Sequence, residues 1–227
     1  MENLSDNLNK EKSFTIIVST SELYREILEV FLFFLKKNFI TSQDIIIVSD
    51  KLNFNSIQTS NVKIFSTDTD WSSRMKIALS EVKTEYVLFF FEDFIIKNLV
   101  NIKNINELFT FIKKNKVDYL KINNSKRKTN NHLTLKNNIT VGDIPNYDIY
   151  PLPLQVSFWK TEFLLKTLLY KLNPWEYEMR IKNFIDLKKY KIMTIVKNSP
   201  INYYDRGLVI KGRLVRSELK FLKKNNY

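Results

Sequence analysis

Short continuous apolar runs alternate, over the first hundred residues, with longer stretches whose large apolar side chains recur every three or four positions. "SFTIIVST" (13–20) and "DIIIVSD" (44–50) read as buried strands, and "VKIFS" (62–66) as a short third. Residues 21–37 carry Leu23, Ile27, Val30, Phe31 and Phe34 at helical spacing. Residues 71–83 do the same with Trp71, Met75, Ala78, Leu79 and Val82, and Asp70 stands ready as N-cap. A fourth run, "YVLFFFEDFIIK" (86–97), drives Val87 to Phe91 into the interior and then places Glu92 and Asp93 at its end. Strand, helix, strand, strand, helix, strand predicts an α/β fold with a doubly wound, mostly parallel sheet flanked by helices.

The second half is less regular. A helix is expected near 104–116, followed by a strand at "VDYLKI" (117–122) and a polar stretch of loops and short strands over 123–148. "YPLPLQVSFW" (150–159) is apolar again, and its two prolines argue for an edge or entry segment. Helices are expected at 160–172 and 175–189, then short strands and a basic end. No repeat or linker interrupts the chain, so one domain is expected over 1–227.

Composition narrows the classes. A content of 44% hydrophobic and 14% aromatic residues excludes a disordered chain. The absence of cysteine excludes disulfides, thiolate metal sites and thiol nucleophiles, and suits a reducing cytoplasm. The polar start "MENLSDNLNKEKS" lacks a signal-peptide pattern, and "VFLFFL" (30–35) is too short to span a bilayer. A net charge of +12 admits an anionic partner: nucleic acid, acidic lipid or a phosphorylated small molecule. The 3 glycines form neither a Walker loop nor a Rossmann fingerprint. The basic residues are spread along the chain, and no helix-turn-helix, RRM aromatic pair or zinc module accompanies them, so nucleic acid is not the expected partner.

Several residues carry candidate chemistry. Glu92 and Asp93 stand where open α/β sheets bind ligands, although Asp93 also fits a cap or turn residue opening the next segment. Thr20 and Asp50 end the first two strands. "TDTD" (67–70) spells Asp-x-Asp with Asp68 and Asp70, but it precedes a helix, and capping is the expected role of Asp70. In "NPWEYE", Pro174 favours a helix start and sets Trp175, Glu176 and Glu178 at its beginning. Carboxylates there complement the helix dipole or, in a functional reading, supply a general base. His132, the only histidine, lies in a polar stretch and reads as a surface residue.

Three stretches together, "WSSRMKIALSEVKTEYVLFFFEDF", "YPLPLQVSFWKTEFL" and "NPWEYEMR", resemble small bacterial glycosyltransferases of the GT-A fold, which build surface polysaccharides from nucleotide sugars. "INYYDRGLVIKGR" echoes a closing motif of the same enzymes. The resemblance implies a GT-A-like central sheet, a nucleotide-sugar-binding half over about 13–100 and an acceptor-side half over about 101–227. It implies donor contacts from Thr20, Asp50, Arg74, Glu92, Lys211 and Arg213. Glu92 and Asp93 match the position that holds a divalent cation, Mn²⁺ or Mg²⁺, though they depart from the usual Asp-x-Asp. Glu176 matches the catalytic base of inverting relatives and is preferred over Glu178. Gln155, Trp159 and Trp175 fall on the acceptor side, where either tryptophan stacks on a sugar or belongs to the core. The implied partners are a nucleotide-sugar donor and a glycan or lipid-linked acceptor. The closing basics Lys211, Arg213 and Arg216 fit a diphosphate or an anionic membrane surface, and the segment 211–224 gains a partial apolar face if helical. A cytoplasmic enzyme, peripheral at the inner membrane face, follows. A nucleotidyltransferase of similar fold is the alternative, but "STSELYRE" lacks the glycine-rich phosphate loop it needs.

Overall fold

The computed structural model describes residues 13–51, 61–126, 128–145, 147–168, 171–210, 213–225 and 227. Strands β1 (Thr15–Ser19), β2 (Ile45–Ser49), β3 (Val62–Ser66) and β4 (Tyr86–Phe91) form a parallel block in the order β3-β2-β1-β4. The helices between them, α1 (Arg25–Asn38) and α2 (Trp71–Ser80), follow the apolar spacing except at Leu23, which lies in a 3₁₀ turn ahead of α1 and is exposed. Asp70 caps α2 by accepting from the Ser73 N–H at 3.0 Å, as expected of it.

Beyond β4 the sheet continues through β8 (Ser157–Lys160), β5 (Tyr119–Lys121), β9 (Ile192–Lys197), β7 (Thr140–Asp143) and β6 (Asn130–Thr134). Every strand except β7 and β8 runs in the direction of β1. Of the two roles expected of the segment with two prolines, edge or entry, it takes the second. Pro151 and Pro153 lie ahead of β8, which inserts antiparallel between β4 and β5 at the centre of the sheet. The prolines stay outside the ladder, where a missing N–H costs nothing.

The core lies on both faces of β4. Leu88 and Phe90 point to the side covered by α1 and α3 (Ile102–Lys114); Val87 and Phe89 point to the side of α2 and α4 (Thr161–Thr167). This explains the unbroken apolar run: no position in the middle of β4 meets water. The second half departs from expectation mainly in helix length. In place of a helix over 175–189 stand α5 (Pro174–Arg180) and two short 3₁₀ turns.

The C-terminal segment forms a small hairpin, β10 (Val209–Ile210) with β11 (Arg213–Leu214), and then helix α6 (Arg216–Lys224). The apolar side of α6 turns inward. Leu222 is buried, Phe221 packs on Phe34 of α1 at 5.2 Å between ring centroids, and Glu218 pairs with Lys97 at 2.8 Å. The apolar face expected to lie on a leaflet is thus used mostly to close the protein's own core. No helix among the described residues is long and apolar enough to cross a membrane.

Phe89→Ala empties a fully buried ring from the sheet centre and is expected to cost about 3–5 kcal/mol. Leu133→Ala, on the exposed strand β6, is expected to stay within about 0.5 kcal/mol. Urea denaturation of both variants measures the difference, and equal midpoints would contradict the placement of β4.

Candidate active site

After Phe91 the chain turns sharply, with the Phe94 N–H donating back to the Phe91 carbonyl at 3.2 Å. The segment that follows is held by residues 202–208 from the far end of the sequence. Ile96 bridges Tyr203, the Lys97 N–H donates to the Asn202 carbonyl, and the Leu208 N–H donates to the Asp93 carbonyl, the last two at 2.8 Å. Gly207 completes the closure. Its φ of +75° belongs to the left-handed region, and a Cβ there would stand 1.9 Å from Asp93 Oδ2. Only a residue without a side chain lets this loop lie against the carboxylate.

The closure takes Glu92 out of water and leaves Asp93 half-buried. Glu92 is 5% exposed, and its Oε2 has no hydrogen-bond partner. Burial first, and then the charge of Asp93, push its carboxyl up to about 8, against a smaller pull downward that includes the Thr20 hydroxyl. Burial also raises Asp93 to about 6, although the Val209 N–H favours its charged form. A buried carboxylate with one unpartnered oxygen, beside a second that is half-buried, favours protons or a cation.

Glu92 and Asp93 open onto a cavity of about 580 Å³. Tyr24, Trp175, Glu178 and Val209 complete much of its lining. The Trp175 ring is 69% exposed at the rim. Glu178 is oriented by the Leu154 N–H, which donates to its Oε1. Glu176 has a different task. It forms a capping box with Asn173: the Asn173 N–H donates to Glu176 Oε2 at 3.0 Å, and the Glu176 N–H donates to Asn173 Oδ1 at 2.9 Å. The two glutamates of "NPWEYE" are therefore separated, one at the helix cap and one on the cavity.

The remaining sequence candidates divide in the same way. Thr20 is buried at the end of β1, close enough to influence Glu92. Asp50 sits at the end of β2. Burial tends to raise its carboxyl, but hydrogen bonds from the Glu22 and Lys51 N–H groups and the Ser49 hydroxyl prevail and hold it below its ordinary value. Arg74 donates through Nη1 to the Thr69 carbonyl at 2.7 Å, and its buried Nε has no partner. Gln155 donates to the Asp205 carbonyl at 2.7 Å and so braces the loop over Asp93. Arg213 is exposed on the hairpin beyond that loop. Lys211 lies outside the described residues. Trp159 requires a correction. It is fully buried, edge-on to Tyr119 at 4.5 Å, with Nε1 donating to Ser157 Oγ, and it presents no ring face to a sugar. Both faces of β8 meet core, with Phe158 on one and Trp159 on the other. His132 is exposed and bonded to Thr129, as a surface residue would be.

Sequence reasoning missed Tyr24, Leu154, Gly207 and Val209. For Gly207 a signal was present, because glycine is so scarce in this chain. The others are apolar or aromatic residues, and only tertiary contact brings them to the site. A second cavity of similar size lies at the opposite end of the sheet, lined by Asp44, Lys63, Glu81, Lys83, Glu85 and Lys113. Its charges are mixed in sign, and it faces the amino ends of β1 and β2. The carboxyl ends of the strands, with the unpartnered Glu92 oxygen, are the stronger candidate.

No family model and no curated protein matches the chain by sequence. Solved structures do match by shape. Residues 1–349 of S. aureus TarS in complex with UDP-GlcNAc superimpose with a TM-score of 0.55 at 17% identity, covering 86% of this chain and 58% of that one. Another structure of TarS 1–349 gives 0.54 at 20% identity, covering 86% and 60%. A cytidylyltransferase from Leptospira borgpetersenii gives 0.50 at 13% identity, covering 95% and 96%. The chain thus spans about 60% of the TarS 1–349 chain and 36% of the longer TarS chain. At these identities the likeness is one of fold: a GT-A-like α/β architecture with a large central sheet between helices.

Proposed function

We propose that the protein is a glycosyltransferase that moves a sugar from a nucleotide-sugar donor to a hydroxyl of a glycan or lipid-linked glycan, with inversion at the anomeric carbon. The observation that carries this reading is the cavity at the exit of β4, with buried Glu92, half-buried Asp93 and, also on its wall, Glu178. An acidic pair suits a cation that meets a diphosphate. A further carboxylate, fixed by a backbone N–H, suits deprotonation of an acceptor.

In this reading Glu178 takes the proton of the acceptor hydroxyl as its oxygen attacks the anomeric carbon. The bond from that carbon to the diphosphate oxygen breaks on the opposite face, and the nucleotide leaves with the electron pair. Glu176, tied into the cap of α5, positions the helix and does not reach the reaction. Trp175 offers an exposed ring at the cavity rim on which an acceptor sugar stacks. Glu92 and Asp93 fit a divalent cation of the Mn²⁺ or Mg²⁺ type, since their oxygens are hard donors and one of them lacks a partner. Among the described residues no third acidic or histidine ligand gathers with them, so donor phosphates and water would complete such a sphere. Bound there, the cation would stabilise the charge of the leaving diphosphate.

A nucleotidyltransferase is the second reading, and one observation favours it: the Leptospira cytidylyltransferase matches nearly end to end. Against it, the turn after β1 has no glycine and runs straight into a 3₁₀ turn at Glu22–Tyr24. Incubation with UDP-, GDP- and CMP-sugars and Mn²⁺ is expected to release nucleotide, and CTP with a sugar phosphate is expected to release no pyrophosphate. Pyrophosphate release without sugar transfer establishes the second reading instead.

Glu178→Gln is expected to lower turnover by about 10²- to 10⁴-fold with donor affinity retained. Glu176→Gln preserves the capping box, which glutamine also closes, and is expected to leave turnover close to that of the unaltered protein. If the two effects are reversed, the base is the capping glutamate.

The acidic pair also predicts a pH dependence of stability. The folded state holds the Glu92 proton up to about 8, against an ordinary value of 4.5. Below 4.5 both states are protonated and the contribution is fully present; it is lost as pH rises towards about 8. Asp93 adds to it with the same sign between 3.8 and about 6. The melting temperature without divalent cation is expected to fall across this window, and Glu92→Gln to flatten the fall. Mn²⁺ added near pH 8 is expected to restore stability in the unaltered protein and much less in Asp93→Asn. A flat profile, or equal Mn²⁺ effects on both proteins, would remove the cation from the site.

A further inference from the structure

The ends of α1 and α6 meet on the side of the molecule covered by α1. Phe33 packs on Tyr227 at 5.3 Å, and Lys37 Nζ lies 5.7 Å from the ring centres of Phe33 and Phe34 and donates to Asn225 Oδ1 at 3.4 Å. The last turn of α1 carries Lys36 and Lys37, and the last turn of α6 carries Lys223 and Lys224, all four exposed. Lys220 adds a fifth exposed cation on α6. Glu29, whose charge reaches Tyr227, is an acidic neighbour. Glu218, the acid within α6, is buried against Lys97 and neutralises none of the exposed lysines.

Large apolar side chains stand out of the same surface. The Val100 N–H donates to the Asn38 carbonyl at 2.7 Å, which brings Leu99 beside the end of α1, and Ile40 follows two residues after Asn38. Phe33, Ile40, Leu99 and Tyr227 are between 42% and 73% exposed. Exposed apolar residues scattered singly need no explanation. Four gathered around the cationic ends of two helices form a mixed basic and apolar surface.

We propose that this surface, the joined ends of α1 and α6 with Lys36, Lys37, Lys223, Lys224, Phe33, Ile40, Leu99 and Tyr227, docks the protein onto an anionic lipid leaflet. The lysines complement negative headgroups, and the apolar side chains enter the interface between headgroups and chains. A second copy of this chain is disfavoured as occupant, because like charges would face each other. Nucleic acid satisfies the lysines but offers no place for protruding Ile40 and Leu99. The surface differs from the tail helix lying flat on lipid, since the apolar side of α6 is committed to the core and only its cationic end takes part. The proposal does not depend on the reaction assigned to the cavity.

Co-sedimentation of the full chain with vesicles tests it, using phosphatidylcholine alone and phosphatidylcholine mixed with phosphatidylglycerol. Binding is expected only with phosphatidylglycerol and is expected to weaken at high salt. With about fivefold per lysine near a charged leaflet, Lys36→Gln/Lys37→Gln/Lys223→Gln/Lys224→Gln is expected to lose at least about tenfold in partition. A control that removes equal charge elsewhere, Lys182→Gln/Lys188→Gln/Lys189→Gln/Lys191→Gln, is expected to lose far less. Ile40→Ser/Leu99→Ser, at two exposed positions, is expected to remove the part of the binding that survives high salt. Melting temperatures of the variants establish that each is folded. No binding to anionic vesicles, equal binding to neutral ones, or equal losses in the two quadruple variants overturns the proposal. Binding of duplex DNA that is lost in the surface variant, with none to vesicles, would identify nucleic acid as the partner.

Discussion

The arrangement depends on the burial of strand β4 and of Glu92, the acid that follows it. A strand apolar at every position must have neighbours on both edges and helices on both faces, and this places β4 between β1 and β8 at the middle of the sheet. The chain leaving such a strand has no solvent-facing side on which to begin. Glu92 is therefore buried and Asp93 half-buried by their position, and residues 202–208 cover them from the other end of the sequence. Gly207 is the point at which that cover becomes sterically possible. The perturbed carboxylates, the cavity and the long-range closure are three consequences of one packing constraint.

The constraint also explains why the first half of the fold was legible. Runs of β-branched and aromatic residues mark strands directly, and the spacing of Trp71, Met75, Ala78 and Leu79 marks one buried side of α2. Burial on both faces is itself a sequence pattern. The second half was harder because its short strands, such as Tyr119–Lys121 and Ser157–Lys160, draw their stability from neighbours distant in sequence. The insertion of β8 at the centre of the sheet is a matter of partners, and a proline-rich approach gives no indication of it.

At the site, legibility failed where one residue type serves two purposes. Glu176 and Glu178 are both acids in a helix beginning. The sequence prefers Glu176 as base, whereas the structure ties Glu176 into the cap and places Glu178 on the cavity wall. Asn173 decides between them: as N-cap it claims the glutamate three residues on, and that bond turns Glu176 back along the helix end. The capping box could have been read from "NPWE", because Asn-x-x-Glu is its signature. Trp159 and Trp175 divide similarly. Trp159 lies in a central strand covered on both faces, whereas Trp175 follows the proline in an exposed first turn. In each pair, local geometry determines which residue remains available for a ligand.

The basic charge presents the opposite difficulty, because its amount is plain and its location is not. A net +12 spread over the chain identifies no partner. The fold concentrates part of it by bringing the ends of two helices together, since helix ends favour lysine for their own electrostatic reasons. Lys36 and Lys37 in one last turn and Lys223 and Lys224 in another are each ordinary in sequence. They become a shared field only because Phe221 and Tyr227 pack against Phe34. The contact that closes the core on that side is thus also what assembles the surface. A helix in which the apolar side is occupied and the cationic end is exposed can serve both purposes without conflict.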